Sequence, residues 1–288
     1  MLQGTPSKTA HRVALRRAAH QVFDQPVIFP DPLALRILGL SESSNFEAAG
    51  LRAPSRPFSI SLRAFLVARS RFAEDALAAA VGDVGVQQYV LLGAGLDTFA
   101  YRNPHANLRV FEVDYPDTQA WKLSLLQENG IAVPESARHV AVDFQTQDLH
   151  ERLLCCGFRM DQPAVFAWLG VVPYLTDEGF SATLRFLSGC AAGSLLVFDY
   201  GLPRHVLPFH EQLALDRMAA RVAAAGEPFQ LFFLPEEVHA RLAAEGWEVV
   251  KDMARDEINA RYFPGGSLKL LGSAGHLLSA RLTASHSA

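Results

Sequence analysis

Residues 89–98, YVLLGAGLDT, constrain the fold of this chain more than any other stretch. An apolar run stops at two glycines one residue apart, Gly93 and Gly95, and an acidic residue, Asp114, closes the next strand-like run. A buried parallel strand feeding a tight turn has this pattern, with a helix N-terminus expected beyond it. Two glycines let the backbone approach a ligand closely, and a carboxylate at the end of the following strand can bind a pair of ribose hydroxyls. The dinucleotide fingerprint asks for a third glycine where this chain has Thr98. A pyrophosphate is therefore less expected than a nucleoside cofactor without phosphates, which points to S-adenosyl-L-methionine.

The rest of the chain alternates in the same sense. QYVLLG, RVFEVD, RHVAVDF, AVFAWLG and SLLVFDYG read as strands, separated by the helical segments DTQAWKLSLLQENG, DLHERLLCCG and DEGFSATLRFLSGCAAG. Strands and helices of these lengths imply right-handed crossovers and a parallel, doubly wound sheet covered on both faces. Residues 9–81 read as helical, including a helix opening at Asp31–Pro32 with Asp31 as its cap, and Gly82 and Gly85 break the pattern. After Gly201 come two helical segments, HEQLALDRMAARVAAAG and LPEEVHARLAAEGW, then two more candidate strands, WEVVKD and AGHLLSARL. The expected organisation is a helical cover over 1–82 and a Rossmann-like core over 83–284, with a helical insert at about 202–245, all in one integrated domain.

Half of the 288 residues are hydrophobic and 19% are charged, enough for a large core. The net charge of −4 offers no footprint for nucleic acid or an anionic membrane, so neither is expected as a partner. No apolar run approaches the length that spans a bilayer. Three cysteines, two of them adjacent (Cys155, Cys156), fit reduced thiols in a cytoplasmic protein. HExxH, GxSxG and the P-loop pattern are all missing, and no metal site is expected.

In open α/β sheets the ligand lies beyond the carboxyl ends of the strands. Gly93, Ala94 and Gly95 follow the first strand, Asp114 the second, Asp143 and Phe144 the third, Leu169 and Gly170 the fourth, Asp199 to Gly201 the fifth. Asp114 suits a ribose, Asp143 an adenine amino group and Phe144 an apolar wall for the base. Either aspartate could instead cap the helix that follows it.

LLGAGLDTFAYR, VFEVDYPDTQAWK, VAVDF and AVFAWLGVVPYLT together resemble the leucine carboxyl methyltransferase superfamily, most closely its bacterial branch of polyketide and small-molecule O-methyltransferases. The resemblance runs from about Lys8 to the strand ending at Leu282. It implies a class I methyltransferase sheet, mostly parallel with the last strand antiparallel, that uses S-adenosyl-L-methionine. It also implies that Gly93, Ala94 and Gly95 flank the methionine moiety, that Asp114 binds the ribose, and that Asp143 with Phe144 holds the adenine. By the same resemblance Lys8 and Arg69 hold the cofactor carboxylate, although solvated arginines and lysines are the default on a helix. Leu169 stands where related enzymes carry a glutamate that meets the cofactor's amino group, so a backbone carbonyl would have to serve.

Methyl transfer is an in-line displacement at a carbon already activated by a sulfonium, and placing the acceptor oxygen supplies most of what a protein adds. The expected acceptor is a carboxylate or hydroxyl of a small molecule of secondary metabolism. Tyr174 and Arg261 are the leading acceptor-side residues, ahead of Arg204, His205 and His210, which sit in a region of loop composition. Two other readings stay open: a nicotinamide-dependent oxidoreductase on a similar sheet, and a protein that binds S-adenosyl-L-methionine without turnover.

Overall fold

The computed structural model describes residues 7–42, 44–50, 57–142, 149–266 and 268–283. Seven strands form one sheet: β1 (Gln88–Leu92), β2 (Arg109–Asp114), β3 (Ala137–Ala141), β4 (Val165–Trp168), β5 (Leu195–Gly201), β6 (Trp247–Met253) and β7 (Gly275–Leu282). Their order is β3-β2-β1-β4-β5-β7-β6. The first five pair in parallel, whereas β7 runs antiparallel to both β5 and β6. The order reverses between β1 and β4, the crevice position where open sheets bind ligands.

Side chains alternate across the sheet with period two. Val90, Leu92, Phe111, Val113, Phe166, Trp168, Phe198 and Leu278 fill one face, together with Leu153 of α4 (Leu149–Cys155), Phe180 of α5 (Asp177–Ser188) and Val238 of α7 (Pro235–Ala244). Trp168 and Phe180 stack there with centroids 5.4 Å apart. Tyr89, Leu91, Val110, Ala167, Val197 and Leu277 fill the other. That face is covered by α2 (Pro57–Val84), through Val67, Phe72 and Leu77, and by α8 (Arg255–Tyr262), through Ile258 and Tyr262. α3 (Pro116–Glu128) follows β2, and α6 (Phe209–Ala223) follows β5. Among the described residues no helix is long and apolar enough to cross a membrane.

Three local expectations are corrected. The Gly93–Gly95 turn leads to a single 3-10 turn at Phe99–Tyr101, not to a helix, because Pro104 disfavours helical backbone at Asn103 and cannot continue a helix. The segment from Asp31 holds only a 3-10 turn at Arg36–Leu38. Asp31 caps no helix: its Oδ2 accepts from Arg17 at 2.7 Å and from Thr98 Oγ1 at 2.8 Å, leaving Oδ1 to the Leu33 amide at 3.1 Å. α2 runs through Gly82 and stops only before Gly85, whose φ of +73° suits glycine.

α1 (Lys8–Phe23) is tied to the sheet end by Arg17, which also donates to Asp97 Oδ2 at 2.8 Å. The guanidinium groups of Arg17 and Arg102 sit on the Phe29 ring, 5.3 and 5.2 Å from its centroid. α1 joins α2 through Asp24, whose carboxylate accepts both arms of Arg63, at 2.7 and 2.6 Å, and His20 Nδ1 at 2.8 Å. Buried ions of this kind are tolerated because each charge is met by a partner in good geometry.

Candidate active site

The crevice forms where β1, β2, β4 and β5 end. Gly93 has φ +73°, and a Cβ there would lie 2.4 Å from Val171 Cγ2. Gly95 has φ +48°, and its Cβ would meet that of Ala10 on α1 at 3.2 Å. The Gly93 and Ala94 amides both donate to Val113 O, at 2.9 and 3.0 Å, which turns the loop back over β2. This places the Gly95 amide on Asp114 Oδ2, while Asp114 Oδ1 accepts from the Tyr115 amide at 2.7 Å. Burial pushes the Asp114 carboxyl up to about 6, against the pull of those two amides and Lys122.

Under the next strands a second set converges. Asp199 at the end of β5 accepts the Gly170 amide on Oδ1 at 2.5 Å and Arg69 of α2 on Oδ2 at 3.1 Å. Gly170 has φ +68°, and a Cβ there would sit 2.6 Å from a terminal nitrogen of Arg69, so only glycine lets the guanidinium lie against this backbone. Tyr174 closes the 3-10 turn Val172–Tyr174, and its ring packs 5.2 Å from Phe229. Burial first, then the nearby Glu227 charge, raise the Tyr174 phenol above its usual value, while the Thr9 hydroxyl and Arg69 oppose them. Thr9 on the first turn of α1 donates to Glu227. The backbone of the Tyr174 turn is held by Gln230, whose amide donates to Pro173 O and whose Nε2 donates to Tyr174 O, both at 2.7 Å.

The structure thus brings Gly93, Ala94, Gly95, Asp114, Arg69 and Tyr174 to one crevice. Lys8 opens α1 two residues before Ala10, is exposed, and makes no ion pair among the described residues. Leu169 is half-buried and packs into the apolar cluster under α2. Asp143 and Phe144 lie outside the described residues; Val142, next to them, still donates to Asp114 O at 2.9 Å. Arg261 stands apart: it pairs with Asp75 of α2 at 3.5 Å and lies over the Tyr262 ring. Asp75 is six residues along α2 from Arg69, about 9 Å at the helical rise, toward the end of the helix that feeds β1. Arg204 is taken by Asp216 at 2.8 Å, and His205 and His210 are exposed.

Asp199 and Gly170 are placed at strand ends by the sequence but given no role there, and Asp97 is given none at all. Asp199 ends an apolar run as Asp114 does, a signal that could have given it a role. Gly170 is recognisable only beside Arg69. Asp97, held at about 2 because Arg17, Arg102 and Lys122 outweigh its burial, depends on partners 80 and 5 positions away in the chain for the first two.

The glycine cradle and the buried, ionisable Asp114 at a strand end fit an uncharged ribose and the short chain of a nucleoside amino acid, and the Rossmann-like sheet carries its antiparallel β7 between β5 and β6. These features define a class I, S-adenosyl-L-methionine-dependent methyltransferase. The model of the family described as "Leucine carboxyl methyltransferase" matches residues 10–188. The chain belongs to this family. It is 30% identical over 285 residues to "Putative S-adenosyl-L-methionine-dependent methyltransferase YktD" of Bacillus subtilis, covering 91% of this chain and 93% of that one. A relative of the same description from Mycolicibacterium paratuberculosis is 32% identical over 248 residues, with 84% and 80% covered. Two solved structures share the fold. A DUF574 family protein from Streptomyces avermitilis has a TM-score of 0.60 at 20% identity, over 85% of this chain and 94% of that one. A protein from Thermobifida fusca has a TM-score of 0.58 at 17% identity, over 91% and 100%.

Proposed function

We propose that the protein transfers a methyl group to an oxygen of a small molecule, a carboxylate or a hydroxyl. The cofactor, when bound, supplies the activated methyl carbon. Everything else falls to the chain: Gly93 and Gly95 admit the ligand to the backbone, Asp114 accepts ribose hydroxyls, and Arg69 offers a guanidinium within reach of a carboxylate. Lys8, Asp143 and Phe144 are proposed to complete the cofactor's surroundings, with Leu169 as an apolar neighbour. Tyr174 orients the acceptor oxygen from the opposite wall.

The observation that carries this reading is the meeting of the glycine cradle, Asp114, Arg69 and Tyr174 in a single crevice. His205 and His210 are exposed, and His210 lies 3.9 Å from Glu211. An acceptor that arrives ionised needs no general base, so the carboxylate is favoured over the hydroxyl. The test is isothermal titration of the wild type and Asp114→Ala with S-adenosyl-L-methionine and S-adenosylhomocysteine, followed by a labelled-methyl screen. The expected result is binding by the wild type and a loss of at least tenfold in the variant, the scale of one charge-assisted hydrogen bond. Equal binding by both proteins would remove Asp114 from the site.

A further inference from the structure

On α1, Thr9, Arg12, Arg16 and His20 share one face, at spacings of three and four residues. The stripe starts where Thr9 meets Glu227 beside Tyr174 and ends where His20 meets Asp24. Between these ends stand two arginines with almost nothing to bind. Arg12 Nη1 and Arg16 Nε are buried without a hydrogen-bond partner, and no other buried side-chain nitrogen or oxygen among the described residues is left so. Among the described residues Arg16 makes one bond, from Nη1 to the Arg12 carbonyl at 3.2 Å.

The neighbours make matters worse. Burial lowers the Arg16 guanidinium from its ordinary value, and the charges of Arg221 on α6, of Arg12 and of Arg63 lower it further. Nearby carboxylates are already engaged: Asp24 is gripped by Arg63 and His20, and Glu227 by the Thr9 hydroxyl. A buried donor left unpaired costs about 1–3 kcal/mol, more when charged. Proteins relieve such an excess of charge with a counter-ion, and arginine forks match the planar geometry of oxyanions.

We propose that Arg12 and Arg16, with Arg221 opposite, form an anion subsite that holds a carboxylate or other oxyanion substituent of the methyl acceptor. This rests on the reading above that the crevice takes a small-molecule acceptor. Arg16 lies seven residues from Thr9, about 10 Å along the helix. The acceptor is therefore an elongated acid whose anionic group lies on that scale from the oxygen presented near Tyr174. None of the contacts of Arg12 and Arg16 involves Asp114 or Arg69, so in this proposal substrate length and charge are read by α1 and α6.

Two measurements test the subsite on the full chain. The first compares melting temperatures of the wild type, Arg12→Gln, Arg16→Gln and the double variant in sodium sulfate and in sodium chloride of equal ionic strength. Sulfate raises the wild type by several degrees more than the double variant, and each single variant falls between; equal gains in all four proteins overturn the proposal. The second uses aromatic acids that carry a separate hydroxyl or second carboxyl as the methyl acceptor, and their analogues with only the distal acid converted to a primary amide, in the labelled-methyl assay. The double variant raises KM for the acids at least tenfold, with a much smaller change in kcat, and Arg16→Lys recovers part of the loss. Amides used as well as acids by the wild type also overturn it. S-adenosylhomocysteine titration separates this outcome from failure of the methyltransferase reading, since the arginine variants retain its affinity whereas Asp114→Ala does not.

Discussion

Burial raises Asp114 to about 6, while the same carboxyl in an unfolded chain titrates near 4 (about 3.9). A folded-state value above the unfolded one means that the native protein holds the proton more tightly. The stability this lends is fully present below pH 4 and is lost as the pH rises through 6. Asp97 has the opposite sign: its value near 2 lies below the unfolded one, so its contribution is present above pH 4 and lost as the pH falls through 2. The carboxylate of Asp97 is taken by Arg17, whereas that of Asp114 accepts from backbone amides, those of Gly95 and Tyr115. Ribose hydroxyls need the charged form of Asp114 as acceptor. The wild-type affinity for S-adenosylhomocysteine is therefore expected to fall below pH 6 by up to tenfold per pH unit, and Asp114→Asn to bind more weakly with a flat profile from pH 4.5 to 7. Titration calorimetry across that range checks it; parallel profiles would place the titrating group elsewhere.

At the scale of the element, the turn after β1 depends on the chain that passes over it. Gly93→Ala meets two separate costs. The positive φ disfavours any Cβ by about 1–3 kcal/mol, and the new methyl would press into Val171 with an overpacking cost of about 1–3 kcal/mol. Adding Val171→Ala should return the second part and leave the first, a coupling measurable by a double-mutant cycle in urea. Strictly additive losses would show that Val171 does not seal the turn. This dependence also explains what could be read from the sequence. The central strands were legible as apolar runs bounded by turn residues, and the edge strands β3 and β6 as short β-branched stretches between turns; Gly93, Gly95 and Asp114 declared themselves by standing at the strand ends. The sheet's antiparallel β7 came from the family resemblance. From Asp31 only a turn and a 3-10 turn form: its Oδ1 still accepts the Leu33 amide, while its Oδ2 is held by a distant pair, Arg17 and Thr98, which local pattern does not encode. α8 gave no sign, since RDEINARY buries only Ile258 and Tyr262. The placement of Arg261 beside Asp75, and of Arg69 beneath Gly170, arises from elements far apart in the chain, which local pattern does not encode.

For the whole molecule the question is whether α1 and α2 are a separable cover or part of one cooperative unit. Arg17 crosses the boundary twice, to Asp97 and to the Thr98 hydroxyl beyond β1, and also holds Asp31 before α2. Arg69 and Asp199 join α2 to β5. Arg17→Met would take from Asp31 and Asp97 the guanidinium they share, leaving Arg102, the Thr98 hydroxyl and the Leu33 and Phe99 amides as partners. Breaking a buried pair in this way costs about 3–5 kcal/mol. The loss extends to binding, because α1 also holds Ala10 over Gly95 and Thr9 beside Tyr174. Calorimetry should show one transition for the wild type, and S-adenosylhomocysteine at a hundred times its Kd should add about 2.7 kcal/mol to that single transition. Arg17→Met should melt lower and bind the ligand more weakly, so that the same ligand concentration rescues less. If the cover were independent, the variant would instead show a second, earlier transition that the ligand leaves unmoved. Hydrogen exchange at the amides of α1 distinguishes the two: in one unit they exchange with the global opening and slow down together with β1 when the ligand is added.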